Sequence, residues 1–125
     1  MCDCAFVKTT ATPSNLIFGI TPTPVTTSSP FNGMTVKMSG AKTNFVTSGS
    51  VTNPAINVYY DQYGIWVNQL VKTNYLSNVG DSGAPVTSGN TLVGFQSGKD
   101  IVGQVSYFSN VNYVPSYFVG LTWGF

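Results

Sequence analysis

Gly80-Asp81-Ser82-Gly83-Ala84-Pro85 is the stretch on which the reading of this chain turns. Gly, Asp, Ser and Pro are all turn formers, so a plain surface turn is one reading. The other is chemical. A serine hydroxyl is a poor nucleophile until a base takes its proton and a pocket of donors receives the oxyanion. Glycines on either side of the Asp81-Ser82 pair let the backbone bend tightly. The N–H groups of Gly80 and Ser82 are then expected to converge on one point beside the hydroxyl. Asp81 between them is expected to hold the loop, through an ion pair or through hydrogen bonds.

Outward from this stretch, short runs of Val, Ile, Phe, Tyr and Thr alternate with Gly, Pro, Asn and Ser. Downstream, Val86, Leu92-Val93-Gly94-Phe95 and Val105-Ser106-Tyr107-Phe108 read as strands. Upstream, Met34 to Met38 alternates, and Asn44 to Val51 follows a Ser39-Gly40 turn. Ile56-Asn57-Val58-Tyr59 joins Ile65-Trp66-Val67 through the hairpin loop Asp61-Gln62-Tyr63-Gly64. This spacing predicts an all-β fold: one antiparallel six-stranded barrel from about residue 33 to 110. Asn110 to Val119 predicts a short closing helix with Pro115 in its first turn. Before the barrel, Ala11 to Pro30 reads as an extended connector holding one apolar island, Leu16-Ile17-Phe18. Cys4-Ala5-Phe6-Val7 reads as a further strand.

At 125 residues the chain has the length of one domain. Only 7% of it is charged, with no Arg, Glu or His, so solubility must rest on Ser, Thr, Asn and Gly. A net charge of +1 gives no basic stripe, which argues against a nucleic-acid partner. No apolar run approaches the roughly 20 residues of a membrane span. Cys2 and Cys4 lack the further Cys or His ligands that a metal site needs, so they read as small buried residues. No metal or other cofactor is expected.

The stretch from Gly80 to Pro85 resembles the nucleophile loop of the chymotrypsin-like serine proteases, in particular their streptogrisin and α-lytic-like branch. Leu92 to Gly98 is similar to the strand whose Ser-Gly end walls the primary specificity pocket and binds substrate backbone. Ser106 to Val111 resembles the pocket's far side. Thr35 to Gly40 with Thr47 to Val51 resembles the first hairpin of the second barrel. Asp3-Cys4-Ala5-Phe6-Val7-Lys8 resembles the segment that carries the triad aspartate on the last strand of the first barrel.

The resemblance implies a serine endopeptidase with Ser82 as nucleophile, Asp3 as triad acid, and Gly80 with Ser82 as oxyanion donors. It implies a pocket with Leu76, Ser77 and Asn78 at its base. Ser97, Gly98 and Lys99 would form one wall, and Val105 and Ser106 the other. With no carboxylate at the base, a small-to-medium apolar substrate side chain is expected, and Lys99 is expected either to narrow the entrance or to sit solvated in a loop. The implied organisation is residues 1–10 as the end of a first barrel, 11–32 as connector and 33–125 as the C-terminal barrel.

One departure is decisive: the chain supplies no histidine, so Ser82 has no base and is expected to be inactive alone. The expected partners are a polypeptide substrate and either a missing N-terminal barrel or a second copy of the chain. The alternative is a non-catalytic protease-like barrel serving as a virion, surface or binding protein. Either role suits a secreted or virion-associated protein.

Overall fold

The computed structural model describes residues 8–12, 14–100, 102–118, 120 and 123–124. The strands are β1 (Thr26–Thr27), β2 (Thr35–Ser39), β3 (Val46–Tyr60), β4 (Ile65–Thr73), β5 (Pro85–Ser88), β6 (Thr91–Lys99) and β7 (Ser106–Asn110). A 3-10 turn over Val111–Tyr113 leads into α1 (Val114–Tyr117), with Pro115 in the first turn as the sequence requires. The order β6-β5-β2-β3-β4-β7 closes because β7 also pairs with β6. All six of these pairings are antiparallel. The result is the six-stranded barrel predicted for this region.

Alternation explains the inside of the ring. On β2, Val36 and Met38 are fully buried while Thr35 and Lys37 face solvent. They join Met34, Val51, Val71, Tyr75, Ala84, Val86, Val93 and Phe108 in one core. Each such Val or Phe contributes roughly 1.5–3 kcal/mol on burial. A smaller cluster of Val67, Leu70 and Tyr107 lies where the β3–β4 hairpin meets β7, with Ile56, Val58, Tyr60 and Val105 against it.

Two features depart from the sequence reading. The two runs expected over Asn44 to Val51 and Ile56 to Tyr59 merge into one continuous strand, β3, which begins at Val46. Pro54 falls within it where the ladder to β4 is irregular, a place that tolerates the missing proline N–H. On the facing strand Gln69 adopts φ 58, and its N–H donates to Asn57 Oδ1 at 3.1 Å.

The connector, in turn, carries a short strand of its own, β1. β1 pairs in parallel with β6, Thr26 opposite Thr91 and Thr27 opposite Leu92, and Ile20 is buried. No hydrophobic pattern signals this, because the pairing uses main-chain groups of two threonines. Of the apolar island, Leu16 and Phe18 remain exposed. The proposed strand around Cys4 lies outside the described residues.

Candidate active site

Between β4 and β5 the loop is fixed by its own main chain. The Asp81 N–H donates to Asn78 O (3.0 Å) and the Ala84 N–H to Asp81 O (2.9 Å). Gly83 N–H and Gln96 N–H then exchange bonds with Gln96 O and Ala84 O at 2.8 Å each, stitching the loop to β6. Gly80 sits at φ 107, a backbone that a side-chain-bearing residue rarely adopts. Among the described residues, neither the Gly80 nor the Ser82 N–H donates a hydrogen bond. Ser82 is exposed, and its hydroxyl donates to the Ser97 carbonyl at 3.0 Å.

Asp81 anchors the loop, and it does so with hydrogen bonds. Its Oδ1 accepts from the N–H groups of Lys42 (2.8 Å) and Thr43 (2.9 Å). Its Oδ2 accepts from the Asn78 N–H at 2.8 Å and from the Thr43 hydroxyl. The carboxylate is 1% exposed. Burial alone would raise its pKa, but the Thr43 hydroxyl and the three N–H donors outweigh that and hold it below the ordinary carboxylate value. Gly40 lets this happen, since a Cβ there would collide with Asp81 Oδ1. The stem of Lys42 lies against Gly80, 3.2 Å from where a Cβ would stand.

Beside the loop is a second buried polar group, and it is neutral. Gln96 Nε2 donates to Ser77 Oγ (3.1 Å) and to the Gly98 carbonyl (2.8 Å), while Gln96 Oε1 accepts from the Tyr75 hydroxyl. Ser77 and Ser106 hydroxyls share a bond of 2.6 Å, and Ser106 donates to Tyr75 O at 2.9 Å. Burial pushes the Tyr75 phenol well above its ordinary value. Lys99 reaches across from β6 and donates from Nζ to the Ser77 carbonyl at 3.0 Å.

Of the pocket residues expected from sequence, Ser77, Ser106 and Lys99 thus come together, with Gly98 bound through its carbonyl. Ser97 meets the site from above, its carbonyl on Ser82 and its hydroxyl 2.8 Å from Tyr60 Oη. Leu76 is 44% exposed and not in this cluster. Asn78 turns to the Asp81 anchor, donating from Nδ2 to Thr43 Oγ1 at 2.9 Å. Val105 packs on the smaller apolar cluster. Asp3 lies outside the described residues. Sequence reasoning missed Thr43, Gly40, Tyr60, Tyr75 and Gln96. Among these only Gly40 carried any signal, as half of a turn.

No family model and no curated protein matches the chain in sequence. Its structure does find matches. A crystal structure of Thermobifida fusca protease A aligns at TM-score 0.69 and 29% identity, over 77% of this chain and 52% of that one. Cellulomonas bogoriensis chymotrypsin aligns at TM-score 0.69 and 26% identity, over 77% and 52%. A glutamic-acid-specific serine protease that uses a histidine triad in substrate binding aligns at TM-score 0.75 and 27% identity, over 89% and 61%. The chain has the fold of the chymotrypsin-like serine proteases, matching their C-terminal barrel. It spans about half the length of the first two of these structures.

Proposed function

We propose that this chain is the nucleophile-bearing part of a secreted serine endopeptidase, with Ser82 attacking the peptide carbonyl and the Gly80 and Ser82 N–H groups receiving the oxyanion. The observation that carries this reading is the loop itself. An exposed serine hydroxyl lies in a loop whose Gly80 and Ser82 N–H groups, among the described residues, donate no hydrogen bond, on a backbone held by a buried carboxylate. Acyl transfer requires such spare donors close to the nucleophile. The base is not in this chain, which has no histidine. Imidazole from another segment or subunit would take the Ser82 proton, with Asp3 as its orienting acid. The substrate is a polypeptide lying along the Ser97–Lys99 end of β6.

The test is chemical rescue. At neutral pH the chain alone should not react with a fluorophosphonate probe, and added imidazole should promote labelling that Ser82→Ala abolishes. Absence of Ser82-dependent labelling at high imidazole would make the loop a plain turn. Rapid labelling without imidazole would mean that another base has been recruited. The missing histidine favours a second reading, a non-catalytic barrel that binds a partner through the same face, and failed rescue would support it.

A further inference from the structure

The peptidase reading leaves open which side chain the pocket takes, and the sequence predicts a small-to-medium apolar one. Around Ser77, which the resemblance places at the pocket's base, the structure is polar and buried. Ser77, Gln96 and Ser106 are polar and at most 3% exposed. Their bonds to one another, to Tyr75 and to Gly98 consume their donors. Such a floor offers little hydrogen-bonding capacity to an incoming group.

Lys99 is the exception. It is half-buried at the end of β6, opposite Ser106 in the ladder. An ammonium carries three N–H donors, and its one bond here goes to a neutral carbonyl. Among the described residues no carboxylate pairs with it. Asp100, next in the chain, accepts from the Tyr107 hydroxyl at 2.8 Å. Asp81 is occupied by its four donors. Lys99 therefore offers one positive charge, partly desolvated, with spare donors and, among the described residues, no counter-ion.

We propose that Lys99 makes this pocket a reader of acidic side chains, taking glutamate or aspartate next to the scissile bond. The proposal rests on the peptidase reading of the site. An incoming carboxylate meets the ammonium beside the Ser77 carbonyl and forms a charge-assisted bond, stronger than the neutral one already there. A glutamine of the same shape lacks that charge, and a lysine is repelled.

The experiment is an amide-resolved NMR titration of the 125-residue chain with acetyl-Ala-Ala-Ala-Xaa-Ala-Ala-amide, where Xaa is Glu, Gln, Leu or Lys. The Glu peptide should bind roughly tenfold tighter than the Gln peptide, with shifts at Ser77, Gln96 to Lys99 and Ser106. Lys99→Met should erase the Glu-over-Gln ratio and Lys99→Arg should keep it. If Lys99→Met does not fold, the wild-type Glu and Gln affinities decide. Equal Glu and Gln affinities, or tightest binding of the Leu peptide at the same amides, would overturn the acidic preference and leave the peptidase reading standing. No shift at these amides with any of the four peptides would overturn both.

Discussion

Two buried polar groups flank Ser82, and they are satisfied by different means. Asp81 is charged, and three of its four donors are main-chain N–H groups from the Gly40–Thr43 turn and from Asn78. The Tyr75–Gln96–Ser77–Ser106 group is neutral and is joined mostly side chain to side chain. The first holds the Gly80–Pro85 loop against the β2–β3 turn, far away in sequence. The second ties β6 and β7 to the segment from Tyr75 to Ser77. A charge in a dry site is stable only with every lone pair met, so the anchor should fail abruptly when touched. A neutral network loses one bond at a time.

Asp81→Asn tests that contrast most severely. The amide puts N–H groups against N–H and hydroxyl donors, and should cost about 3 kcal/mol in denaturant unfolding. The same variant isolates a pH effect. The folded-state pKa of Asp81 is depressed, so its contribution is full above the unfolded value of about 3.9 and is lost as pH falls through the folded value. The stability gap between wild type and Asp81→Asn should therefore hold from neutral pH down to about pH 4 and narrow only below it. A gap that closes near neutral pH would show that the carboxylate is not the anchor.

Gly40→Ala approaches the anchor from the other partner. The added methyl must displace Asp81 Oδ1 and the Met38 sulfur, with an expected cost of about 2 kcal/mol. An unchanged unfolding midpoint would mean that the turn adjusts freely and does not fix the loop. Tyr75→Phe probes the neutral side. It removes one donor to Gln96 and should cost about 1 kcal/mol with no change in the acid limb of the stability curve. A larger loss than Asp81→Asn would reverse the comparison.

The same contrast explains what could be read from the residues. Thr35 to Ser39 announces its buried face by alternation, and Asp61 to Gly64 announces a hairpin. Ring order and helix position follow from such local signals together with the resemblance. Cross-chain main-chain bonds leave no trace in side-chain pattern, which hides both the Lys42–Thr43 cradle and the parallel pairing of Thr26-Thr27 with β6. Ser77, Ser106 and Lys99 were placed together by resemblance. Leu76, Asn78 and Val105 were assigned with them, but a strand or loop turns successive side chains to different sides.

Closure of the ring also bears on how this molecule behaves among copies of itself. Open sheets offer unpaired N–H and C=O groups at their outer strands, and proteins usually guard those with lysines and other charges. With five lysines and four aspartates in all, this chain has few guards to post. Within the ring each of the six strands has two neighbours, and the outer strand β1 is only two residues long, but the hairpin over residues 56–60 and 65–69 runs beyond the ring and pairs only with itself. Among the described residues, backbone templating of a second copy would start at the outer edges of that hairpin. Exposed side chains such as Leu16 and Phe18 add a second route to self-association, which polar substitutions can close without touching the ring strands.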